Sequence, residues 1–127
     1  MKKEILFNAD APKAGGPYSP ALKIGNLVFV SGQLPTDPAT GELVEGNIET
    51  QAQRALDNLR LVLQPYGIGL KHIVKVTIFL KDMNNFSRVN EIYGQYFSSD
   101  FPARSCIGIA RLPRDAQIEI EAIAYCD

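Results

Sequence analysis

The chain has 127 residues, of which 46% are hydrophobic and 21% are charged. This length and balance predict one globular domain, residues 1–127, and exclude a disordered or fibrous protein. Thirteen basic residues against fourteen acidic ones leave a net charge of −1, and the sequence contains no run of lysine or arginine. Proteins that bind nucleic acid through its phosphates are normally more basic, so the charge argues against a nucleic-acid partner.

The N-terminus and the cysteines bear on the compartment and on metal chemistry. The apolar run from Ile5 to Phe7 is too short for a signal peptide. No segment approaches the ~20 apolar residues of a membrane span, so we expect a soluble, cytoplasmic protein with no membrane partner. Cys106, Cys126 and the single histidine, His72, are too few for a disulfide scaffold or a zinc site, so no metal is expected.

The first part of the chain predicts three β-strands. They are the segments 4–8, 21–25 and 27–33, which are rich in β-branched and aromatic residues. Between the second and third strands, Gly25-Asn26 predicts a tight hairpin turn. Residues 36–44 predict a longer loop after the third strand, because they contain turn-forming Asp, Pro and Gly.

A long amphipathic helix is predicted within residues 47–67. Asn47 is a suitable N-cap, and Pro65 with Gly67 predicts the end of the helix. The apolar positions recur at steps of three and four, whereas charged and polar residues occupy the other side. These apolar positions are Ala52, Ala55, Leu56, Leu59, Val62 and Leu63.

The second half of the chain predicts a strand, a helix and two further strands. The strands are segments 72–82, 105–111 and 117–126, and the helix begins at a cap on Asn84 or Asn85. The apolar stripe of this helix comprises Phe86, Val89, Tyr93, Tyr96 and Phe97. The resulting order, ββ(β)αβαββ, predicts an α+β fold.

The predicted strands are apolar on both faces, which bears on assembly. In the third strand Val28 and Val30 alternate with Leu27 and Phe29. In the fourth strand we expect Val74, Val76, Ile78 and Leu80 to oppose Ile73 and Phe79. Two helices cover only one face of a sheet, so we predict a homo-oligomer whose sheets face inward. The alternative, a monomer with a loosely covered sheet, would expose a large apolar face.

Charged residues in and before the last two strands suggest a carboxylate-binding site. Alternation places Glu119 and Glu121 on one face of the last strand, where both could also be plain surface charges. Arg104 follows Phe101-Pro102-Ala103, and proline favours an extended, well-positioned segment. A guanidinium can grip a carboxylate with two parallel hydrogen bonds, although an ion pair within the protein is the commoner role of an arginine.

Three further positions are candidates on weaker grounds. Cys106 lies two residues beyond Arg104 and therefore on the same side of an extended strand. A nucleophilic cysteine needs a base, for which His72 is poorly suited, so a small apolar cysteine is the favoured interpretation. Glycine in Ser31-Gly32 permits a close approach to a ligand, and Tyr18 lies in an irregular loop, but both features are equally compatible with loop packing.

Four segments together resemble the RidA family of reactive-intermediate deaminases, also called the YjgF family. They are GPYSPA (16–21), VFVSGQLPTDPATGELV (28–44), VKVTIFLKDMNNFSRVN (74–90) and FPARSCIGIARLPRDAQIEIEAIA (101–124). The resemblance implies a chorismate-mutase-like α+β fold, with a mixed sheet of five to six strands and two helices on one face. It also implies a homotrimer with a central barrel and active sites between subunits.

The resemblance further implies an activity that needs no cofactor. Members of the family hydrolyse 2-imino acids to 2-keto acids and ammonia; these imino acids are tautomers of the enamines that pyridoxal-phosphate-dependent dehydratases release. Carried over residue by residue, the family's site positions fall on Tyr18, Ser31, Gly32, Asn90, Arg104, Cys106 and Glu119. Pro20 stands where many members have glutamine, which puts the preferred size of the imino acid in question.

The implied chemistry assigns a role to each of these positions. As the catalytic residues, Arg104 would hold the substrate carboxylate and Glu119 would position and deprotonate a water. Backbone N–H groups near Cys106 and Gly32 would fix the orientation of the substrate. The remaining positions, Tyr18, Ser31 and Asn90, would shape the cleft, whereas Glu121, Arg111 and Arg114 are interpreted as structural or surface residues.

Two other functions compete with hydrolysis. Arg104 could simply bind a keto acid or related carboxylate in a metabolite-responsive module, but a pure carboxylate binder would be weakened by a second anion such as Glu119. The ribonuclease activity attributed to some relatives is disfavoured by the near-neutral charge and the single histidine. For the chaperone role attributed to the family, the sequence offers neither support nor contrary evidence.

Overall fold

A mixed six-stranded sheet carries two helices on one face in the computed structural model of the chain, which describes residues 2–127. Every predicted strand and helix is present, in the predicted order. The strands are β1 (Glu4–Leu6), β2 (Ala21–Ile24), β3 (Leu27–Gln33), β4 (Ile73–Leu80), β5 (Ala103–Gly108) and β6 (Ile118–Tyr125), and the helices are α1 (Ile48–Leu63) and α2 (Phe86–Tyr96).

The strand order across the sheet is β1-β2-β3-β6-β4-β5. Strands β4 and β5 are parallel, whereas the other neighbouring pairs are antiparallel. A parallel pair needs a crossover connection, which α2 supplies between β4 and β5. The last strand of the chain therefore lies in the middle of the sheet, between β3 and β4.

Helix α1 begins and ends where its sequence predicts. The side chain of Asn47 accepts a hydrogen bond from the N–H of Thr50 at 2.9 Å, which caps the first turn. After a short 3₁₀ turn, Gly67 adopts a left-handed conformation with φ of 70°, which stops the helix. The six predicted apolar positions of α1 are all buried against the sheet or α2.

Helix α2 is capped differently from the prediction. A 3₁₀ turn, Met83–Asn85, precedes the helix, and the Asp82 carboxylate accepts from the N–H of Asn84 at 2.9 Å. Asn85 occupies the N-cap position of α2, as predicted, but its side chain makes no capping hydrogen bond. The chain enters α2 through this 3₁₀ turn. The side-chain cap therefore lies at the start of the turn, earlier in the sequence than the apolar periodicity of α2 predicts.

The hairpin between β2 and β3 is confirmed. Ile24 pairs with Leu27, so the connection is the two-residue loop Gly25-Asn26. Gly25 has φ of 57°, which glycine tolerates at the first position of such a loop.

One prediction of strand facing was wrong because β4 contains an irregularity. The pairing of β4 with β6 shifts between Ile73 and Lys75. As a result Ile73 is buried in the core with Val76, whereas Val74 is 47% exposed. A bulge changes which face each following residue occupies, so the alternation expected from sequence fails at this one point.

The face of the sheet opposite the helices is open and partly apolar, as predicted. Leu27, Phe29, Ile107 and Tyr125 on this face are 40–46% exposed. The core lies on the other side, between the sheet and the helices. Within residues 2–127, no helix has both the length and the apolar character needed to cross a membrane.

Candidate functional site

The two predicted catalytic side chains lie on opposite faces of the sheet. Paired residues on neighbouring strands point to the same face. Arg104 of β5 pairs with Val76, which is buried under the helices. Glu119 of β6 pairs with Phe79, which belongs to the open face. Each catalytic candidate therefore lines its own depression, and β4 separates the two.

Arg104 lines a cavity of about 310 Å³ between β5 and α2, which we call the Arg104 cavity. Its guanidinium carbon lies 4.7 Å from the centre of the Tyr93 ring and 5.6 Å from that of Phe86. The two aromatic rings contact the flat face of the guanidinium. The N–H donors at its edge therefore remain available to a planar anion. The cavity is lined by Asn90, Tyr93, Gly94, Phe101, Pro102 and Arg104.

No carboxylate neutralises Arg104. The ion pairs within residues 2–127 involve Arg60, Lys81 and Arg88, and none involves Arg104. The common interpretation of an arginine as a partner for a nearby acidic residue therefore does not hold here. A half-buried, unpaired guanidinium in a cavity provides a binding site for an anion.

Cys106 lies on the same face as Arg104, as predicted, because it pairs with Ile78. Its side chain is partly buried and packs against the core. Burial raises the pKa of the thiol, and the nearby Arg104 charge only partly opposes this effect. A thiol with a raised pKa is a poor nucleophile, so the structure supports a packing role for this side chain.

Glu119 lies in a separate depression of about 910 Å³, the Glu119 cleft. The cleft is lined by residues from segments 12–18 and 34–41, which we call its two walls, together with Ser31 and Gly32. Burial, followed by the charge of Glu121, raises the pKa of Glu119. A carboxylate whose pKa is raised accepts a proton more readily, which suits a general base that later returns the proton.

Gly32 is needed because the Glu119 carboxyl group packs directly against it. A methyl group on Gly32 would lie 2.7 Å from the carboxyl carbon of Glu119 and 2.9 Å from one oxygen. The pairing of β3 with β6 also shifts between Val30 and Gln33, which bends the strand at this point. The structure thus brings Gly32 and Glu119 together, although they are far apart in sequence.

We expect Gly32→Ala to lower kcat by roughly tenfold while changing stability little. The new methyl group would displace the carboxylate of Glu119, the predicted general base, and a displacement of about 1 Å at such a group is costly to the rate. The group that must move is the end of a flexible side chain, so the fold can absorb the change. Steady-state kinetics and thermal melting would measure both effects. Gly69→Ala is the control, because Gly69 has open space around it and lies outside the Glu119 cleft, so this variant should spare kcat.

Ser31 is engaged in holding the loop that carries Tyr18. Its hydroxyl donates to the carbonyl of Ser19 at 2.6 Å, and its N–H donates to the carbonyl of Pro20 at 2.9 Å. The Tyr18 hydroxyl accepts from the N–H of Gly15 at 3.1 Å, and the side chain is largely exposed. These contacts support a role for both residues in shaping the cleft.

Sequence reasoning missed the residues that anchor the other wall of the Glu119 cleft. Asn58 is fully buried on α1, and its amide donates to the carbonyls of Leu34 and Thr36 at 3.0 and 2.8 Å. Gln51 on the same helix donates to the carbonyl of Val44 at 3.1 Å. The sequence did contain a signal, because both amides lie on the otherwise apolar face of α1. A buried amide needs hydrogen-bond partners, so their positions could have predicted contacts with a neighbouring loop.

Glu121 and Arg114 were both interpreted as structural or surface residues, but both line the Glu119 cleft. Arg114 donates to the carbonyl of Gly41 and thereby joins two loops at the edge of the Glu119 cleft. Arg114 and Asp115 both have positive φ, 59° and 58°. Within residues 2–127 there is no group of three or more His, Cys, Asp or Glu side chains that could hold a metal ion.

The chain is a small α+β protein with two separate depressions, one lined by Arg104 and the other by Glu119. The chain belongs to the Endoribonuclease L-PSP family, whose sequence profile matches residues 8–126. Names used for its relatives include YjgF, RutC and Rid. The resemblance to the RidA (YjgF) family is therefore confirmed.

Individual relatives support this assignment along the whole chain. A RutC family protein of Pyrococcus abyssi is 50% identical over 125 residues, 98% of each chain. The 2-iminobutanoate/2-iminopropanoate deaminase of Bos taurus is 45% identical over 124 residues, 98% of this chain and 90% of the bovine protein. The crystal structure of the YjgF gene product from E. coli has a TM-score of 0.92 and 41% identity, covering 98% of this chain and 99% of that one.

Proposed function

We propose that this protein hydrolyses 2-imino acids to 2-keto acids and ammonia. The observation that carries the proposal is the Arg104 guanidinium, which lines a cavity and has no carboxylate partner within residues 2–127. A 2-imino acid supplies the missing carboxylate. The bovine relative, named as a deaminase of 2-iminobutanoate and 2-iminopropanoate, acts on compounds of this class.

The proposed chemistry uses few groups because a protonated imine is already electrophilic. Arg104 holds the substrate carboxylate, while Glu119 accepts a proton from a water as its oxygen bonds to the imine carbon. The electrons of the C=N bond move to nitrogen. Glu119 then returns the proton to the amine. As the C–N bond breaks and ammonia leaves, Glu119 accepts the hydroxyl proton, so the keto group forms.

Backbone N–H groups complete the proposed site. Ile109, just past β5, donates its N–H to the Leu80 carbonyl of β4. Because N–H directions alternate along a strand, the N–H of Cys106 points away from β4, toward the free edge of the sheet. This donor is available to a ligand bound at Arg104. Gly32 packs against the Glu119 carboxylate. Because glycine has no side chain, the ligand can approach the backbone closely on the side opposite Arg104.

A second copy of the chain must complete the site, because Arg104 and Glu119 lie on opposite faces of one sheet. We propose a homotrimer in which the Arg104 cavity of one subunit faces the Glu119 cleft of the next. The partly apolar open face of each sheet would then line a central barrel. Burial of its four exposed apolar side chains would stabilise the assembly.

Mixed oligomers provide a direct test of the shared site. Arg104→Ala and Glu119→Gln subunits, each inactive alone, are co-expressed with different tags, and assemblies that carry both tags are isolated. In a trimer that carries both tags, about a third of the clefts regain both wild-type side chains, because one of its three subunit junctions pairs them. We therefore expect about a third of wild-type activity per cleft. Mixed assemblies as inactive as the two parents would contradict a site shared between subunits.

The catalytic proposal itself is tested by coupling to a threonine dehydratase. The dehydratase converts L-threonine to an enamine whose imine tautomer, 2-iminobutanoate, is trapped by semicarbazide. We expect catalytic amounts of the protein to suppress this adduct and to accelerate release of 2-ketobutyrate. If the folded protein binds 2-ketobutyrate but leaves the adduct unchanged, the metabolite-binding module becomes the better account.

Ribonuclease activity receives less support from the structure. The one histidine, His72, accepts a hydrogen bond from the N–H of Gly69 through Nδ1 and lies in neither the Arg104 cavity nor the Glu119 cleft. The near-neutral net charge also supplies no basic surface of the kind that binds RNA phosphates.

A further inference from the structure

The hydroxyl group of Tyr93 is buried and has no hydrogen-bond partner within residues 2–127. The residue is only 5% exposed and lines the Arg104 cavity. A buried hydroxyl without a partner is costly and therefore uncommon in folded proteins. Arg104, which forms no ion pair within residues 2–127, lies over the Tyr93 ring at the same cavity, so two donors without partners belong to adjoining side chains.

The ring of Tyr93 already has a packing role that does not involve the hydroxyl. It stacks on Phe97, with ring centres 4.5 Å apart, and Arg104 lies over it. A phenylalanine would provide both of these contacts equally well. The hydroxyl is thus the part of the side chain that the fold of a single chain leaves unexplained.

We propose that the Tyr93 hydroxyl is a second ligand-binding group, which donates a hydrogen bond to the carboxylate held by Arg104. This assignment rests on the proposed function, because it takes the ligand of the Arg104 cavity to be a carboxylate. An anion with one oxygen on the guanidinium and another facing Tyr93 would satisfy both donors at once.

The protonation state of Tyr93 suits a donor. Burial raises the pKa of its hydroxyl, and the nearby Arg104 charge opposes this only in part. The group therefore keeps its proton at neutral pH and can donate to an anion. Among the residues that the structure describes, no carboxylate forms an ion pair with Arg104, so none occupies the place of the ligand.

The test is Tyr93→Phe, which removes one oxygen and keeps the ring. We expect the Kd for 2-ketobutyrate, measured by isothermal titration calorimetry, to rise by tenfold or more, since a hydrogen bond to a charged group is lost. The KM for 2-iminobutanoate should rise while kcat changes little, because the contact exists before and during the reaction. The melting temperature should stay the same or rise, since a buried unpaired hydroxyl has been removed.

Tyr96→Phe is the matched control, one turn further along α2. Its hydroxyl is already satisfied, by the Asp57 carboxylate at 2.8 Å and the carbonyl of Gln53 at 3.2 Å. This variant should lose stability without losing affinity for 2-ketobutyrate. The opposite pattern in Tyr93→Phe, reduced affinity with retained stability, would establish the ligand contact.

Two failures can be told apart. If wild type binds 2-ketobutyrate and Tyr93→Phe binds it equally well, the Tyr93 assignment is overturned and the deaminase proposal is untouched. If wild type neither binds 2-ketobutyrate nor suppresses the semicarbazone, the proposed function falls and the Tyr93 assignment falls with it.

Discussion

Arg104→Ala is expected to reduce kcat/KM for 2-iminobutanoate by about a thousandfold while leaving the fold intact. The loss follows from removing the positive partner of a bound carboxylate, an effect of about 2–5 kcal/mol for charge pairs shielded from water. In stability, the variant loses only the contacts of the guanidinium with two aromatic rings, worth about 1 kcal/mol. Steady-state kinetics and urea unfolding would measure the two effects.

Arg60→Ala is a matched control for this variant. Arg60 also lies over an aromatic ring, that of Tyr96 at 5.1 Å, but it is exposed and pairs with Asp57. Its removal should leave activity unchanged. Arg104→Lys keeps the charge but loses the two parallel donors, so we expect intermediate activity. An Arg104→Ala protein with near wild-type kcat/KM would rule out this residue as the carboxylate anchor.

Glu119→Gln is expected to lower kcat by about 10²–10⁴-fold and to retain binding of 2-ketobutyrate. Glutamine occupies the same space against Gly32 but cannot accept the proton of the attacking water. Removal of an anion close to the ligand carboxylate should preserve or tighten binding, since like charges repel. Glu121→Gln, an exposed change on the same face, should cause no comparable loss.

Glu119→Gln also has a predictable effect on the stability of the fold. Burial and the Glu121 charge raise the pKa of Glu119 above its ordinary value of 4.5. The folded protein therefore binds this proton more tightly than the unfolded chain, so the ionised carboxylate destabilises the fold above the raised pKa. Glu119→Gln should raise the melting temperature at pH 7, and the gain should vanish as the pH falls below 4.5. A lower melting temperature at pH 7 would mean that the fold depends on the charge.

Local pattern was sufficient for much of the fold. The alternation in β6 and the helical period in α1 depend on residues close in sequence, so they could be read directly. The shift between Ile73 and Lys75 could not, because a bulge is defined by the partner strand and leaves no trace in composition.

The arrangement of the site depended on contacts that are distant in sequence. Sequence and resemblance together predicted Arg104 and Glu119 as site residues, but their placement on opposite faces follows from the register in which β5 and β6 pair with β4. Tyr93 was predicted only as part of an apolar stripe, since nothing in the sequence shows that its hydroxyl lacks a partner. It lies three residues after Asn90, on the same side of α2, and this spacing could have associated it with the cavity.

The two walls of the Glu119 cleft should differ in how readily they open. Buried amides of Asn58 and Gln51 fasten the 34–41 wall, and Val44 just beyond it, to helix α1, so opening of this wall requires breaking hydrogen bonds in the core. The hydrogen bonds that the structure describes for residues 12–18 join that segment to itself. Backbone amides of residues 12–18 should exchange with deuterium early, whereas those of the 34–41 wall should be protected. Ligand entry and release would then be gated by a segment that carries no catalytic group.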